Sequence, residues 1–165
     1  MADGISNSGE KSEAAFRRIT GATKPKRAAD GDAVLNGVNI EVKHASSTTL
    51  NQVRAVKYIP LVAHHSPTSS WFVIPAPDIV VLVAQKPRGQ HTENPFESAT
   101  LNISKLGDYR VKSEHHLKAA VQSAIKRADK FPELRQAMHD VLAQSKSLAK
   151  KSRADVLKLI DVLGL

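Results

Sequence analysis

The chain has 165 residues, with 24 Lys and Arg against 16 Asp and Glu, a net charge of +8 and a pI near 9.8. It has no cysteine, which excludes zinc ribbons, iron–sulfur clusters, thiol catalysis and disulfide frameworks. The sequence contains no run of about eighteen apolar residues that would predict a membrane span. Its polar N-terminus lacks the apolar region of a secretory signal. We therefore expect a cytoplasmic protein without membrane contact, whose positive field attracts polyanions, nucleic acid foremost.

The first third of the chain predicts a helix followed by a β-hairpin. An apolar stripe at helical spacing favours a helix from about Gly9 to Thr20. The dipeptide Asn36-Gly37 is the strongest short signal for a hairpin turn, and it separates strands predicted over 31–36 and 38–45. Alternation along the second strand points Val38, Ile40 and Val42 to one face and Asn39, Glu41 and Lys43 to the other.

The middle of the chain mixes clear and ambiguous signals. Residues 46–60 predict a loop and then a helix, capped by Thr48 or Thr49 and stopped by Pro60. Strands are expected over 70–75 and 99–104, and residues 86–97 read as a loop. The apolar segment 78–85 suits a strand or a buried helix, because periodicity alone does not decide between them.

The last third of the chain is helical by pattern. Helices are predicted over 113–129, from Pro132 to about Ala149, and over 153–163. The whole order indicates an α/β fold with a helical C-terminal part. We divide it into a core over 8–112 and an extension over 113–165, which either packs on the core or supports dimerisation.

Asp32, Glu41 and Lys43 carry the chemistry most clearly. Glu41 and Lys43 are two residues apart on an alternating strand and so share a face. The Asn36-Gly37 turn folds Asp32 back towards Glu41, so the two carboxylates can share a divalent cation such as Mg²⁺, with Mn²⁺ as a substitute. A water activated by that cation can attack phosphorus, and Lys43 can orient it and stabilise the transition state.

These residues resemble the PD-(D/E)XK nuclease superfamily, which includes restriction endonucleases and Holliday-junction resolvases. The matching motif is Gly31-Asp32 followed by Glu41-Val42-Lys43, with Gly31 where the family usually has proline. The resemblance implies a restriction-endonuclease-like core, a mixed sheet flanked by helices. It also implies a catalytic Glu on the first helix, for which Glu13 is preferred to Glu10. Gln52, or else Arg54, would be the polar residue that follows the lysine strand.

Two further segments are candidates for DNA contact. The loop before Asp32 is basic, with Lys24, Lys26 and Arg27 close together. A second loop is dense in hydrogen-bonding groups that could read base edges or clamp phosphates, although a solvated connection explains it equally. Its candidate contacts are Arg88, Gln90, His91 and Asn94.

The sequence therefore predicts a Mg²⁺-dependent DNA endonuclease, of the restriction type, cutting duplex DNA as a homodimer. A structure-specific Holliday-junction resolvase is the alternative within the same class, since Glu13 suits it equally. A non-catalytic DNA-binding module and an RNA-binding or ribosome-associated basic protein are the alternatives from other classes. The intact set of Asp32, Glu41 and Lys43 argues against the module, and the scarcity of aromatic residues argues against RNA binding.

Overall fold

A computed structural model describes residues 6–144 and 149–165 of the chain. Within these residues, the α-helices are α1 (Ser6–Thr20), α2 (Ala76–Ala84), α3 (Leu117–Ala128), α4 (Pro132–Ala143) and α5 (Ala149–Leu163). The strands are β1 (Ala33–Leu35), β2 (Val38–Ala45), β3 (Thr49–Val53), β4 (Leu61–His65), β5 (Ser70–Ile74) and β6 (Ala99–Asn102).

The strands form a four-stranded mixed sheet and a separate two-stranded sheet. The order in the larger sheet is β1-β2-β4-β5, in which β2 and β4 are parallel and the two outer pairings are antiparallel. β3 and β6 pair antiparallel to form the smaller sheet. The predicted α/β class, with a sheet flanked by helices and a helical C-terminal part, is confirmed.

Apolar side chains cover the larger sheet on both faces. One cluster joins α1 and α3 to the sheet, and its buried members include Phe16, Ile40, Val62, Trp71 and Val121. The other joins α2, α4, α5 and the smaller sheet to the opposite face, and includes Leu50, Ile74, Val80, Met138 and Ile160. Residues on both sides of position 112 therefore share both clusters.

The β1–β2 hairpin has the turn that the sequence predicts. Asn36 and Gly37 have φ angles of 51° and 76°, the positive pair that a type I′ turn requires. The turn sets the register from Leu35 opposite Val38 to Ala33 opposite Ile40. Strand β2 has the predicted bounds, whereas β1 begins only at Ala33.

The helix predicted within 46–60 is wrong. This segment holds β3 and a short 3₁₀ turn, Ala55–Lys57. Leu50 and Val53 are both buried although three residues apart, because the pairing with β6 shifts register between them and Gln52 adopts a φ of 53°. A β-bulge of this kind gives a strand the apolar spacing of a helix.

Three more differences separate the structure from the predicted elements. β4 directly follows Pro60 and was not predicted as a strand. The ambiguous segment 78–85 falls largely within α2, which begins at Ala76 and is mostly buried. α4 ends at Ala143, and residues 145–148 of the longer helix that we predicted lie outside the described residues.

No helix among the described residues is long and apolar enough to cross a membrane.

Candidate active site

The Asp32 carboxylate lies beside the β2 segment that carries Glu41 and Lys43. Its Oδ2 accepts a hydrogen bond from the backbone N–H of Val42 at 2.8 Å. Val42 is two residues beyond Ile40, the last residue of β2 that β1 pairs with. The Asp32 side chain thus satisfies a strand N–H where β1 no longer provides a partner. This bond places Asp32 beside the residue between Glu41 and Lys43.

Gly31 gives the chain the sharp bend that delivers Asp32. Its φ is 149°, and a Cβ at this position would lie 2.9 Å from the backbone oxygen of Ile40. The proline usually found in the motif that these residues resemble has φ fixed near −65° and could not adopt this conformation. Glycine at position 31 is therefore a requirement of this backbone.

Glu41 is held between two lysine ammonium groups. Its Oε1 lies 3.7 Å from Lys43 Nζ, and its Oε2 accepts a hydrogen bond from Lys57 Nζ at 3.3 Å. Lys57 is the last residue of the 3₁₀ turn after β3. Sequence reasoning missed it, because its approach depends on a turn within a segment predicted as helix.

Glu13 approaches the same site from α1. Arg17, one helical turn further on, lies 3.9 Å from the Glu13 carboxylate and donates a hydrogen bond to the Asp32 carbonyl oxygen at 3.0 Å. Partial burial, followed by the charge of Asp32, raises the pKa of Glu13, while Arg17 opposes the rise. The charges of Glu10 and Glu41 raise the pKa of Glu13 further, so it lies within the field of both candidate ligands.

Burial is the main cause of a raised pKa at Asp32. The charge of Glu41 adds to the rise, and the Val42 hydrogen bond, Lys43 and Lys57 oppose it. Two carboxylates that repel one another in a partly desolvated place favour a bound cation or proton. Asp32 and Glu41 thus suit a hard divalent ion by donor chemistry.

The described residues contain no group of three or more His, Cys, Asp or Glu side chains arranged to hold a metal ion. Mg²⁺ commonly binds through one or two carboxylates and fills its other positions with water and substrate phosphate. Two carboxylates are therefore a sufficient protein contribution for this ion. Asp32 and Glu41 are the candidate pair at this site.

Gln52 is not on a helix, contrary to its predicted position. It lies in the β3 bulge with its side chain exposed, and its backbone N–H donates to Gln90 Oε1 at 3.0 Å. Arg54, the weaker candidate, lines a small pocket together with Glu41, Lys43 and Lys57. Its Nε donates to the Glu97 carbonyl oxygen at 3.3 Å.

The polar loop over 88–94 divides into anchored and exposed residues. Asn94 is only 6% exposed, and its Oδ1 accepts the backbone N–H of Phe96 at 2.9 Å, so it shapes the loop and has no surface for base contact. Gln90 is partly buried, with Oε1 bound by the Gln52 N–H and the Thr100 hydroxyl. Arg88 and His91 are exposed.

All three cationic residues of the basic loop before Asp32 are exposed. Lys24 and Lys26 are open to solvent. Arg27 donates two hydrogen bonds to the Asp30 carboxylate, both 3.1 Å long. A phosphate contact by Arg27 would have to compete with this pair, whereas the two lysines have no such partner among the described residues.

A partly buried cluster of Ser12, His44 and His64 also escaped sequence reasoning. The Ser12 hydroxyl lies 3.0 Å from His44 Nδ1 and 3.1 Å from His64 Nδ1, and the His64 ring stacks on Trp71 at 4.4 Å between centroids. The histidines meet because β2 and β4 are parallel with His44 opposite His64. No sequence signal gives that register when β4 is not recognised as a strand.

The site thus combines two carboxylates suited to a divalent cation with two lysines suited to phosphate charge, and a third carboxylate lies near them. Such a set can support hydrolysis of a phosphodiester. No protein-family model, curated protein or solved structure matches the chain.

Proposed function

We propose that this chain is a Mg²⁺-dependent DNA endonuclease with a restriction-endonuclease-like core, acting on duplex DNA. The observation that carries the proposal is the hydrogen bond from the Val42 N–H to Asp32 Oδ2. It joins the two parts of the motif, Gly31-Asp32 and Glu41-Val42-Lys43, in one place. A solvated ion pair on a sheet surface would not require that bond or the glycine conformation at Gly31 that leads to it.

Asp32 and Glu41 would hold the divalent cation, which when bound lowers the pKa of a water and stabilises charge on the phosphate. Lys43 Nζ lies 3.7 Å from Glu41 Oε1. Its positive charge would orient the attacking water and stabilise the negative charge that develops on the phosphate oxygens. Glu13 can accept a proton near Asp32, because its pKa is raised by burial. Cutting both strands needs two such sites, which a homodimer supplies.

DNA is the substrate that the charge favours. The net charge is +8, and Lys24 and Lys26 are exposed on the loop that leads into Gly31 and Asp32. Arg88 and His91 are exposed on the second loop, where they can reach phosphates or base edges.

The test is cleavage of plasmid and long linear duplex DNA by purified protein with Mg²⁺ or with EDTA. Asp32→Asn and Glu41→Gln should abolish cleavage and keep DNA binding or tighten it, since each removes a negative charge that faces phosphate. Asp161→Asn, an exposed position on α5, is the control and should cleave normally. Wild-type cleavage in EDTA, or by either site variant, would contradict the proposal.

A junction resolvase is the second candidate, and the position of Glu13 favours it. The resemblance associates a first-helix Glu with resolvases, and Glu13 lies within the field of Asp32. The burial of Asn94 also removes one of the predicted base contacts. A synthetic four-way junction beside the linear duplex separates the two candidates. Discrete duplex fragments support the restriction type, and cleavage confined to the junction supports the resolvase.

A further inference from the structure

Lys57 bonds directly to Glu41, one of the two carboxylates that would hold the divalent ion in the proposed function. Its Nζ donates to Glu41 Oε2 at 3.3 Å, the shorter of the two lysine contacts to this carboxylate. Both side chains are mostly buried, with 23% of Lys57 and 25% of Glu41 exposed. Because the pair is partly shielded from water, the charges interact more strongly than an open surface pair.

The backbone around Lys57 is fixed, so the contact does not depend on a loose loop. Val56 is buried before it, and the Val56 N–H donates to the Phe96 carbonyl oxygen at 3.0 Å. Tyr58 is buried after it, with a φ of 49° and a hydroxyl that donates to the Ala128 carbonyl oxygen at 3.1 Å. Only the four-carbon stem of Lys57 is free to move the ammonium group.

We propose that Lys57 is a displaceable cation at Glu41, which yields to the divalent ion and then binds the substrate phosphate. This inference rests on the proposed function. A divalent ion bound at Glu41 would repel an ammonium group that stayed a few ångströms away. A lysine stem has the rotational freedom to carry its charge to a neighbouring anion, and the phosphate that approaches the site is that anion.

Lys43 differs from Lys57 in this respect. It lies on the same strand as Glu41, and its longer distance of 3.7 Å is not a hydrogen bond. Lys57 comes from another element and makes the direct bond. Removal of the Lys57 charge should therefore tighten binding of the divalent ion and slow cleavage, whereas loss of a structural lysine would weaken both.

The test measures Mn²⁺ binding by calorimetry, without DNA, beside cleavage rates under saturating Mg²⁺. Lys57→Met should lower the Mn²⁺ dissociation constant at least threefold and slow cleavage at least tenfold. Lys57→Arg keeps the charge and should keep the wild-type Mn²⁺ affinity. Lys105→Met is the matched control, because Lys105 is also the last residue of a 3₁₀ turn, and it should change neither value.

The outcomes separate this inference from the proposed function. If the wild type binds Mn²⁺ and cleaves DNA but Lys57→Met binds Mn²⁺ no more tightly, the inference is wrong and the proposed function stands. If neither protein binds Mn²⁺ or cleaves, both are wrong. If Lys57→Met binds Mn²⁺ more tightly yet the wild type cleaves nothing, the displaced cation stands and nuclease activity does not.

Discussion

Asp32 shows at the scale of one residue that an ionised carboxylate in the candidate site opposes stability. Folding moves this carboxylate into a partly buried place near Glu41, which raises its pKa. Since the folded state holds the proton more tightly than the unfolded state, protonation of Asp32 stabilises the fold. That contribution is present below the unfolded pKa and is lost as pH rises through the folded pKa. At neutral pH the ionised Asp32 therefore lowers the free energy of unfolding.

Asp32→Asn should accordingly raise Tm at pH 7. The amide oxygen can still accept the Val42 N–H, and the variant carries no charge to desolvate. Thermal unfolding between pH 3 and 8 would show the two proteins converging at low pH and separating as Asp32 ionises. Asp161→Asn is the control. A variant less stable than the wild type at pH 7 would contradict this account.

The Ser12–His44–His64 cluster predicts acid sensitivity. Burial, and then the neighbouring His44, lower the pKa of His64, His65 lowers it further, and Glu114 opposes them. The stability that neutral His64 contributes is present above the unfolded pKa and lost as pH falls through the lower folded pKa. When His64 is protonated its Nδ1 becomes a donor, so it can no longer accept a hydrogen bond from the Ser12 hydroxyl.

His64→Asn should flatten the pH dependence of stability below pH 6.5. The asparagine amide can take the position of Nδ1 beside Ser12 without titrating, although it loses the stacking on Trp71. Urea unfolding at intervals from pH 5 to 8 measures the effect, and His139→Asn, at an exposed position on α4, is the control. An unchanged slope in the His64 variant would show that this cluster does not sense acid.

The residues of the candidate site were predictable only where local pattern governs them. Alternation along β2 and the Asn36-Gly37 turn were sufficient to select Asp32, Glu41 and Lys43 for one place. Lys57 was not predictable, because it reaches Glu41 from a turn 16 residues further along the chain. The burial of Asn94 was equally hidden, since its polar side chain serves the backbone of its own loop.

At the scale of elements, the hairpin was predictable and the β3 bulge was not. The hairpin depends on two adjacent residues with a strong turn preference. The bulge depends on pairing with β6, about 50 residues away, and it gives Leu50 and Val53 the spacing of a helix face. β4, which follows the segment wrongly predicted as a helix, was not predicted as a strand. The parallel pairing of β2 and β4 could therefore not be foreseen.

Gly31→Ala tests how much the stability of the β1–β2 hairpin depends on the bend at Gly31. The methyl group would lie 2.9 Å from the Ile40 oxygen, and alanine rarely adopts a φ of 149°. We expect a loss of about 1–3 kcal/mol in the free energy of unfolding. Gly107→Ala is the control, because a Cβ there meets nothing within 4 Å. Equal urea midpoints for the two variants would mean that an alanine side chain is tolerated at this bend without strain.

At the scale of the whole molecule, the C-terminal helices complete the fold. Leu117 and Val121 of α3 pack in the same buried cluster as Phe16, and Met138 of α4 packs with Ile74. The Tyr58 hydroxyl also bonds to the carbonyl oxygen of Ala128 at the end of α3. Helical periodicity predicted these elements, but only the tertiary packing shows that they cover both faces of the sheet.

The net charge of +8 predicts DNA binding that weakens steeply with salt. If about five phosphates are contacted, log K should fall against log salt with a slope near −4 to −5. Fluorescence anisotropy of labelled DNA, measured with Ca²⁺ in place of Mg²⁺, gives this slope. A double change of Lys24 and Lys26 to Gln should make it shallower by about two.

The control for that measurement is a double change of Lys130 and Lys158 to Gln. It removes the same charge from exposed positions in the C-terminal half and should alter the slope by less. A flat salt dependence in the wild type would indicate a partner other than nucleic acid.

The loop over 88–94 has a fixed frame, formed by Gly89, Gln90 and Asn94, and two exposed side chains that can be replaced. Gly89 has no room for a Cβ, which would lie 2.4 Å from the Ser98 oxygen, and Gln90 and Asn94 hold the loop by hydrogen bonds. Arg88 and His91 project from this frame and are exposed. A combinatorial library confined to these two positions would thus sample new surface chemistry on an unchanged scaffold. A library that also varied the frame would consist largely of misfolded clones.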